Sequence, residues 1–338
     1  MRAVLPAFIL FLAGAPVAAQ MPPVGRIEVF GHEKSSAQVR ALLADLKGSP
    51  ASADLEARRQ AIESLPGVAA ADIDAVCCDR GLTTLYVAVR GDGTPAPKFR
   101  ATPIGHVRLP PSIVSLGERF ERALEDAVRR GVVQEDHSAG HALMADSAAR
   151  AVQDEFVRVA AQQDSLLRGV LATSSDAAHR ALAAQVLAYT PEKRAIVAPL
   201  LEAVRDPDPT VRNVAARALW LIAEYAGAHP SSGIDIPADP FIELLESGGW
   251  TDRNKAAMVL LQLTSSRDSA LLGTLRERAF DPLVDMAQWA DMGHALPGVV
   301  MLGRIAGIPE ESIFAALSEG KKDTIIEAAL RSRHRTGS

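Results

Sequence analysis

One octet is written three times in this chain. RALAAQVL starts at Arg180, RNVAARAL at Arg212 and RNKAAMVL at Arg253, and all three read R-x-x-A-A-x-x-L. Each copy follows an apolar stretch (LLRGVL from 166, IVAPLLEAV from 196, FIELL from 241) and a short polar turn, SSD, DPDP or WTD. A stretch, a turn and a second amphipathic stretch make a helical hairpin. The copies lie 32 residues apart (180 to 212) and 41 apart (212 to 253), and the longer gap fits the loop-like insert GAHPSSGIDIPADP. Periods of this size mark a solenoid. A single hairpin cannot bury its apolar stripe, so copies must stack. Paired alanines let neighbouring helices approach closely while leucine fills the seam behind them.

The phrase DPDPTVRNVAARAL, Asp206 to Leu219, carries a resemblance to HEAT repeats. It is similar to the short bacterial kind found in phycobilin-lyase-like proteins and in exported bacterial HEAT-repeat proteins. The expected solenoid spans 165–335, with DPLVDMAQWADMGHALPGVVMLGRIAG as a divergent hairpin and the last helices as a cap. The resemblance implies a protein-binding scaffold with a concave helical surface. The arginines admit two readings. Arg180, Arg212 and Arg253 could form a binding stripe for acidic partners. Alternatively they bond the repeat turns internally, for instance Arg212 to Asp206 or Asp208.

Before the repeats the character changes. RIEVFG alternates as a strand does, SSAQVRALLADLKGSP and SADLEARRQAIESLPG read as helices closed by Gly and Pro, and AADIDAVC and LTTLYVAVRG alternate again across an Asp79-Arg80-Gly81 turn. The fold class expected is therefore a small α+β domain of order β-α-α-β-β over 24–91, followed by an all-α solenoid of helical hairpins. Its order and the phrases RIEVFG, LPGV and LTTLYVAVRG resemble a POTRA domain. That resemblance implies a module that recruits an extended peptide by adding a strand at a sheet edge. DGTPAPKFRATP, residues 92–103, has no periodicity and reads as a linker. Residues 112–164 read as helices, with Val114, Phe120, Leu124 and Val128 on one side of the first.

Residues 1–19 look like a secretory signal peptide: Met1-Arg2, an uncharged apolar run, then small residues before Gln20. No later apolar run reaches the ~20 residues of a spanning helix. The expected location is periplasmic or secreted. In that oxidising setting the adjacent Cys77 and Cys78 could form a vicinal bridge or remain one buried and one exposed thiol. Net charge is −5 and only 4% of residues are aromatic, which argues against a nucleic-acid partner. QEDHSAGHAL holds His137 and His141. Four apart on a helix they would share a face suited to a metal, with Glu135 or Asp136 as a third ligand, but Ser138 and Gly140 favour a turn with Ser138 as helix cap. No H-E-x-x-H, G-x-S-x-G, P-loop or G-x-G-x-x-G is present. The sequence therefore points to a non-catalytic scaffold of the bacterial envelope that binds protein or extended peptide and needs no cofactor. The alternative is a metal-dependent enzyme or lyase accessory protein using the solenoid groove.

Overall fold

The computed structural model describes residues 21–32, 35–50 and 54–336. The expected signal peptide lies outside the described residues. Among those described, no helix is long and apolar enough to cross a membrane. The protein is mostly helical, with a small strand-containing region near the N-terminus. Its contacts divide into two compact units. One holds 98–240 and 258–263; the other holds the described part of 16–97 together with 241–257 and 264–336.

The second unit begins with the expected order: β1 (Val24–Gly31), α1 (Ser36–Leu43), α2 (Leu55–Glu63), β2 (Val68–Asp79) and β3 (Leu82–Gly91). The strands lie in the order β1-β3-β2, with β1 parallel and β2 antiparallel to β3. Asp79 faces Leu82 across a two-residue turn in which Arg80 and Gly81 both have positive φ, the geometry a tight hairpin needs. One sheet face buries Leu85, Val87, Val89 and Ala71 against Val39, Leu43 and Ile62 of the two helices.

The other face is also covered. Tyr86 and Phe30 meet Trp289, at ring-centre distances of 4.8 and 5.4 Å. Tyr86 also packs on Trp250 and His294, and its hydroxyl lies 2.6 Å from His294 Nδ1. Of the later helices α9 (Asp239–Leu244), α10 (Trp250–Leu263), α11 (Ser269–Arg278), α12 (Phe280–Gln288) and α13 (Met292–Ile305), those partners come from α10, the residue after α12, and α13. Asp74 accepts from the Trp250 amide at 2.5 Å. Thus 24–91 shares a compact unit with the distant residues 241–257 and 264–336, while its division from 98–240 falls between Pro97 and Lys98, inside the expected linker. A strand buried on both faces reads as a nearly continuous apolar run, as LTTLYVAV does.

The first unit contains α3 (Pro111–Arg129), a two-residue strand pair β4 (Glu135–Asp136) and β5 (Leu143–Met144), and helices α4 (Ser147–Gln162), α5 (Asp164–Thr173), α6 (Ala177–Leu187), α7 (Lys193–Ala203) and α8 (Pro209–Ala228). Asp146, Asp176 and Asp208 cap α4, α6 and α8, each accepting from two amides of the first turn. Ala183, Ala184, Ala215 and Ala216 are fully buried in the seams. The buried stripe of α3 is turned from the expected one: Ile113, Leu116, Gly117, Phe120 and Ala127 are buried, and Val114, Leu124 and Val128 only half so. Gly117 has a packing reason, since a Cβ there would come within 2.8 Å of Leu182. The expected 92–103 linker is only partly loose. Arg100 is fixed by its amide to Arg205 O (2.7 Å) and its guanidinium to Leu171 O and Asp206.

Candidate functional site

The three repeat arginines are only 1%, 6% and 5% exposed. That overturns the binding-stripe reading of Arg180, Arg212 and Arg253, because a stripe for partners needs accessible guanidinium groups. Each instead closes its own hairpin turn by donating to the carbonyl six residues upstream: Arg180 to Ser174 (2.8 Å), Arg212 to Asp206 (2.9 Å) and Arg253 to Ser247 (2.7 Å). In the third copy this turn precedes Trp250, so WTD lies inside α10 and not in the turn. Arg180 also makes a two-pronged bond, of 2.9 and 2.7 Å, to Asp206 of the following repeat. Burial alone would raise the Asp206 carboxyl, but hydrogen bonds from Arg180, Arg100 and the Asp208 amide hold it below the ordinary range. The other two guanidinium groups lie over rings, Arg212 at 3.8 Å from Phe99 and Arg253 at 4.7 Å from Phe30.

His137 and His141 sit in the turn joining β4 and β5, not on a helix. Gly140 takes φ +71°, and the Ser138 amide bonds Asp136 Oδ1 at 2.9 Å, so Ser138 caps no helix; Asp146 does that for α4. The two imidazoles go to different partners. His137 is held between Glu135 and Glu224, at 3.1 Å from each. Burial would lower its pKa, but the two carboxylates outweigh burial and raise it to about 9. Glu135 in turn accepts from Arg217 Nη2 through both oxygens (2.7 and 2.6 Å), and this charge, against burial, keeps it at about 2. His141 faces Lys193 Nζ at 2.8 Å, and burial together with that ammonium pushes it down to about 4. Burial lowers Lys193 to about 7, and its Nζ also caps the end of α6 through Ala188 O at 2.7 Å. The expected metal pair therefore does not form: one histidine completes a carboxylate-guanidinium network and the other pairs with an amine. Among the described residues, no group of three or more His, Cys, Asp or Glu side chains is placed to hold a metal.

Sequence reading missed Arg217, Glu224, Lys193, Tyr189 and Gln153. Gln153 accepts from the Met144 amide (2.7 Å) and donates to Tyr189 (3.0 Å), tying β5 to α4 and to the residue region after α6. A cavity of about 60 Å³ lies among these groups, lined by His141, Gln153, Gln185, Tyr189, Glu135 and Arg217 and walled by apolar side chains. Arg217 belongs to the second repeat phrase but stands at a variable position of it, so the pattern assigns it no role. Cys77 and Cys78 lie late in β2, with their sulfurs adjoining.

A second concavity, of about 300 Å³, runs between α3 and α6 and reaches the start of α8. Its floor is Val114, Gly117, Ala177, Ala181 and Leu182, and Glu118, Glu121 and Asp208 stand at its rim. Burial, with the neighbouring Glu125 and Glu118 charges and against Arg122, raises the Glu121 pKa.

Residues 165–260 match the family model described as HEAT repeats. The helices from 269 onward lie beyond the match. No curated protein matches the chain. Similar solved structures include a designed armadillo repeat protein (16% identity, 55% of this chain and 93% of that one, TM-score 0.36). An engineered protein is similar at 20% identity, over 56% and 91% of the two chains, with a TM-score of 0.35. Another designed armadillo repeat protein, in complex with the peptide (KR)4, shares 16% identity over 56% and 94%, with a TM-score of 0.36. The chain is a repeat protein, as its three octets and the helical hairpins that carry them require.

Proposed function

We propose that this protein is a non-catalytic protein-interaction scaffold. The groove between α3 and α6 carries the reading: an apolar floor fits aliphatic side chains, and the acidic rim of Glu118, Glu121 and Asp208 fits lysine or arginine. The favoured partner is a protein segment that presents basic residues flanking an apolar one. The leader-like residues 1–19 favour work in the bacterial envelope, periplasmic or secreted. The β-α-α-β-β segment resembles a POTRA domain, and β1 and β2, the outer strands of the sheet, are where a partner strand would add.

A photo-crosslinker placed at Leu182 tests the groove in envelope extract. Specific adducts should form, and Glu118→Lys with Glu121→Lys should abolish them while leaving the fold intact. Adducts that are unchanged by the double reversal would remove the acidic rim from recognition. Cell fractionation with N-terminal sequencing tests location: the mature chain should begin near Gln20, and a membrane-bound product starting at Met1 would overturn export.

A further inference from the structure

We propose that the cavity between α6 and α8 is a binding site for a small primary carboxamide. Two buried polar atoms in its wall have no hydrogen-bond partner: Gln185 Oε1, on a side chain only 7% exposed, and Arg217 Nη1. Both residues line the same cavity. A buried polar atom without a partner keeps its desolvation cost unrepaid, so an occupant that pairs both is favoured over an apolar one. The first atom is an acceptor and the second a donor. A carboxamide supplies the complement of both, its N–H to Gln185 and its carbonyl to Arg217.

Size and charge narrow the class. The space of about 60 Å³ is several times the ~10–15 Å³ needed to admit one water, enough for an amide head with a short tail. Phe120, Met144, Val214 and Leu221 make the remaining wall apolar, which suits a short alkyl tail. Leu124, Val133 and Glu135 in the lining are half-buried. An anion gains little here, because Glu135 already occupies Arg217 Nη2 and, with Glu224, flanks His137. The other polar lining groups are satisfied: Gln153 by Met144 and Tyr189, and His141 by Lys193.

Ligand-observed NMR on the full chain, with propionamide, propionate and 1-propanol at equal concentrations, tests this. Propionamide should bind saturably and about tenfold more tightly than propanol, the factor expected when one buried hydrogen bond is gained. Gln185→Met keeps the volume and should erase that preference. Ala218→Met fills the cavity from α8 without replacing either polar residue, and should abolish binding outright. Circular dichroism checks that both variants fold, and either one suffices. Equal binding of propionamide and propanol, tighter binding of propionate, or binding that survives either folded variant would each overturn the assignment. So would the absence of saturable binding, which would leave ordered water as the cavity's only occupant.

Discussion

Buried alanine pairs occur in both units, Ala256 and Ala257 of the third octet in the second, but the second unit adds a cluster of rings that joins distant parts of the chain. In the first, small residues make the seams: Ala183, Ala184, Ala215 and Ala216 are fully buried, and a buried Arg180–Asp206 pair links one hairpin to the next. In the second, Phe30 and Tyr86 of the sheet meet Trp250, Trp289 and His294. Alanine seams work through repetition, because each hairpin presents the same surface to the next. Ring clusters work through bulk, and each aromatic side chain buries about 150–250 Å² wherever it finds a partner. A chain that is 4% aromatic has spent two of its three tryptophans in that single cluster.

The sharpest way to break this contrast is to isolate the strands. If the rings make one unit of sheet and helices, a fragment of residues 21–97 exposes Tyr86, Ala88 and Phe30, and it should fail to fold cooperatively. A sigmoidal thermal transition with mixed α and β circular dichroism in that fragment would mean that α1 and α2 suffice. Next in size is Asp206→Ala, which strands Arg180 in a site 1% exposed. Removing one partner of a buried pair costs about 3–5 kcal/mol. A urea-melt loss under about 1 kcal/mol would show that the pair is not what couples the hairpins.

Ala216→Leu overpacks the seam itself and should cost about 1–3 kcal/mol. Asn213, near the start of the same helix, is only 8% exposed, so the control belongs on Glu202, an exposed position of α7. Glu202→Ala should stay within about half a kcal/mol. A silent Ala216→Leu would misplace the seam. In the other unit, Tyr86→Phe keeps every ring contact and removes only the hydroxyl that lies 2.6 Å from His294. About 1 kcal/mol is expected. No change would assign the cluster's contribution to packing alone, and a loss as large as that of Asp206→Ala would make polar contacts as important there as in the repeats.

What could be read from the sequence follows the same divide. The hairpins, their Asp caps and the alanine seams repeat, so three weak signals reinforce one another. The β-α-α-β-β order was equally plain, since strand alternation and Gly-Pro stops are local. The second covered face of β3 was not, because Trp250 and Trp289 stand more than 150 residues downstream and no local pattern announces a partner at that distance (250 less 86 is 164). The candidate site was legible only in name. His137 and His141 were visible as a pair, but a four-residue spacing pairs side chains only on a helix, and Gly140 turns the chain instead. Their true partners, Glu224 and Lys193, depend on how α7 and α8 pack.

The smallest expected effect lies in that turn. His137 has a folded pKa of about 9 against the ordinary 6.5, so its contribution is fully present below pH 6.5 and is lost as pH rises through 9. The groups that set it are Glu135, Glu224 and, through Glu135, Arg217; the ring also packs edge-on to Trp220. Glu224 is well exposed, so solvent screening reduces the contribution to under about 1 kcal/mol. Lys193 works in the reverse sense over nearly the same window. Its folded pKa is about 7, so its contribution is fully present above 10.5 and is lost as pH falls through 7. The two slopes partly cancel in the native protein, and a single pH profile cannot tell them apart. The difference between the urea-melt profiles of the native chain and His137→Gln isolates the histidine. That difference should shrink steadily from pH 6.5 to 9. If it stays constant across the window, His137 is neutral in the folded state, and the network around Glu135 is held by Arg217 alone.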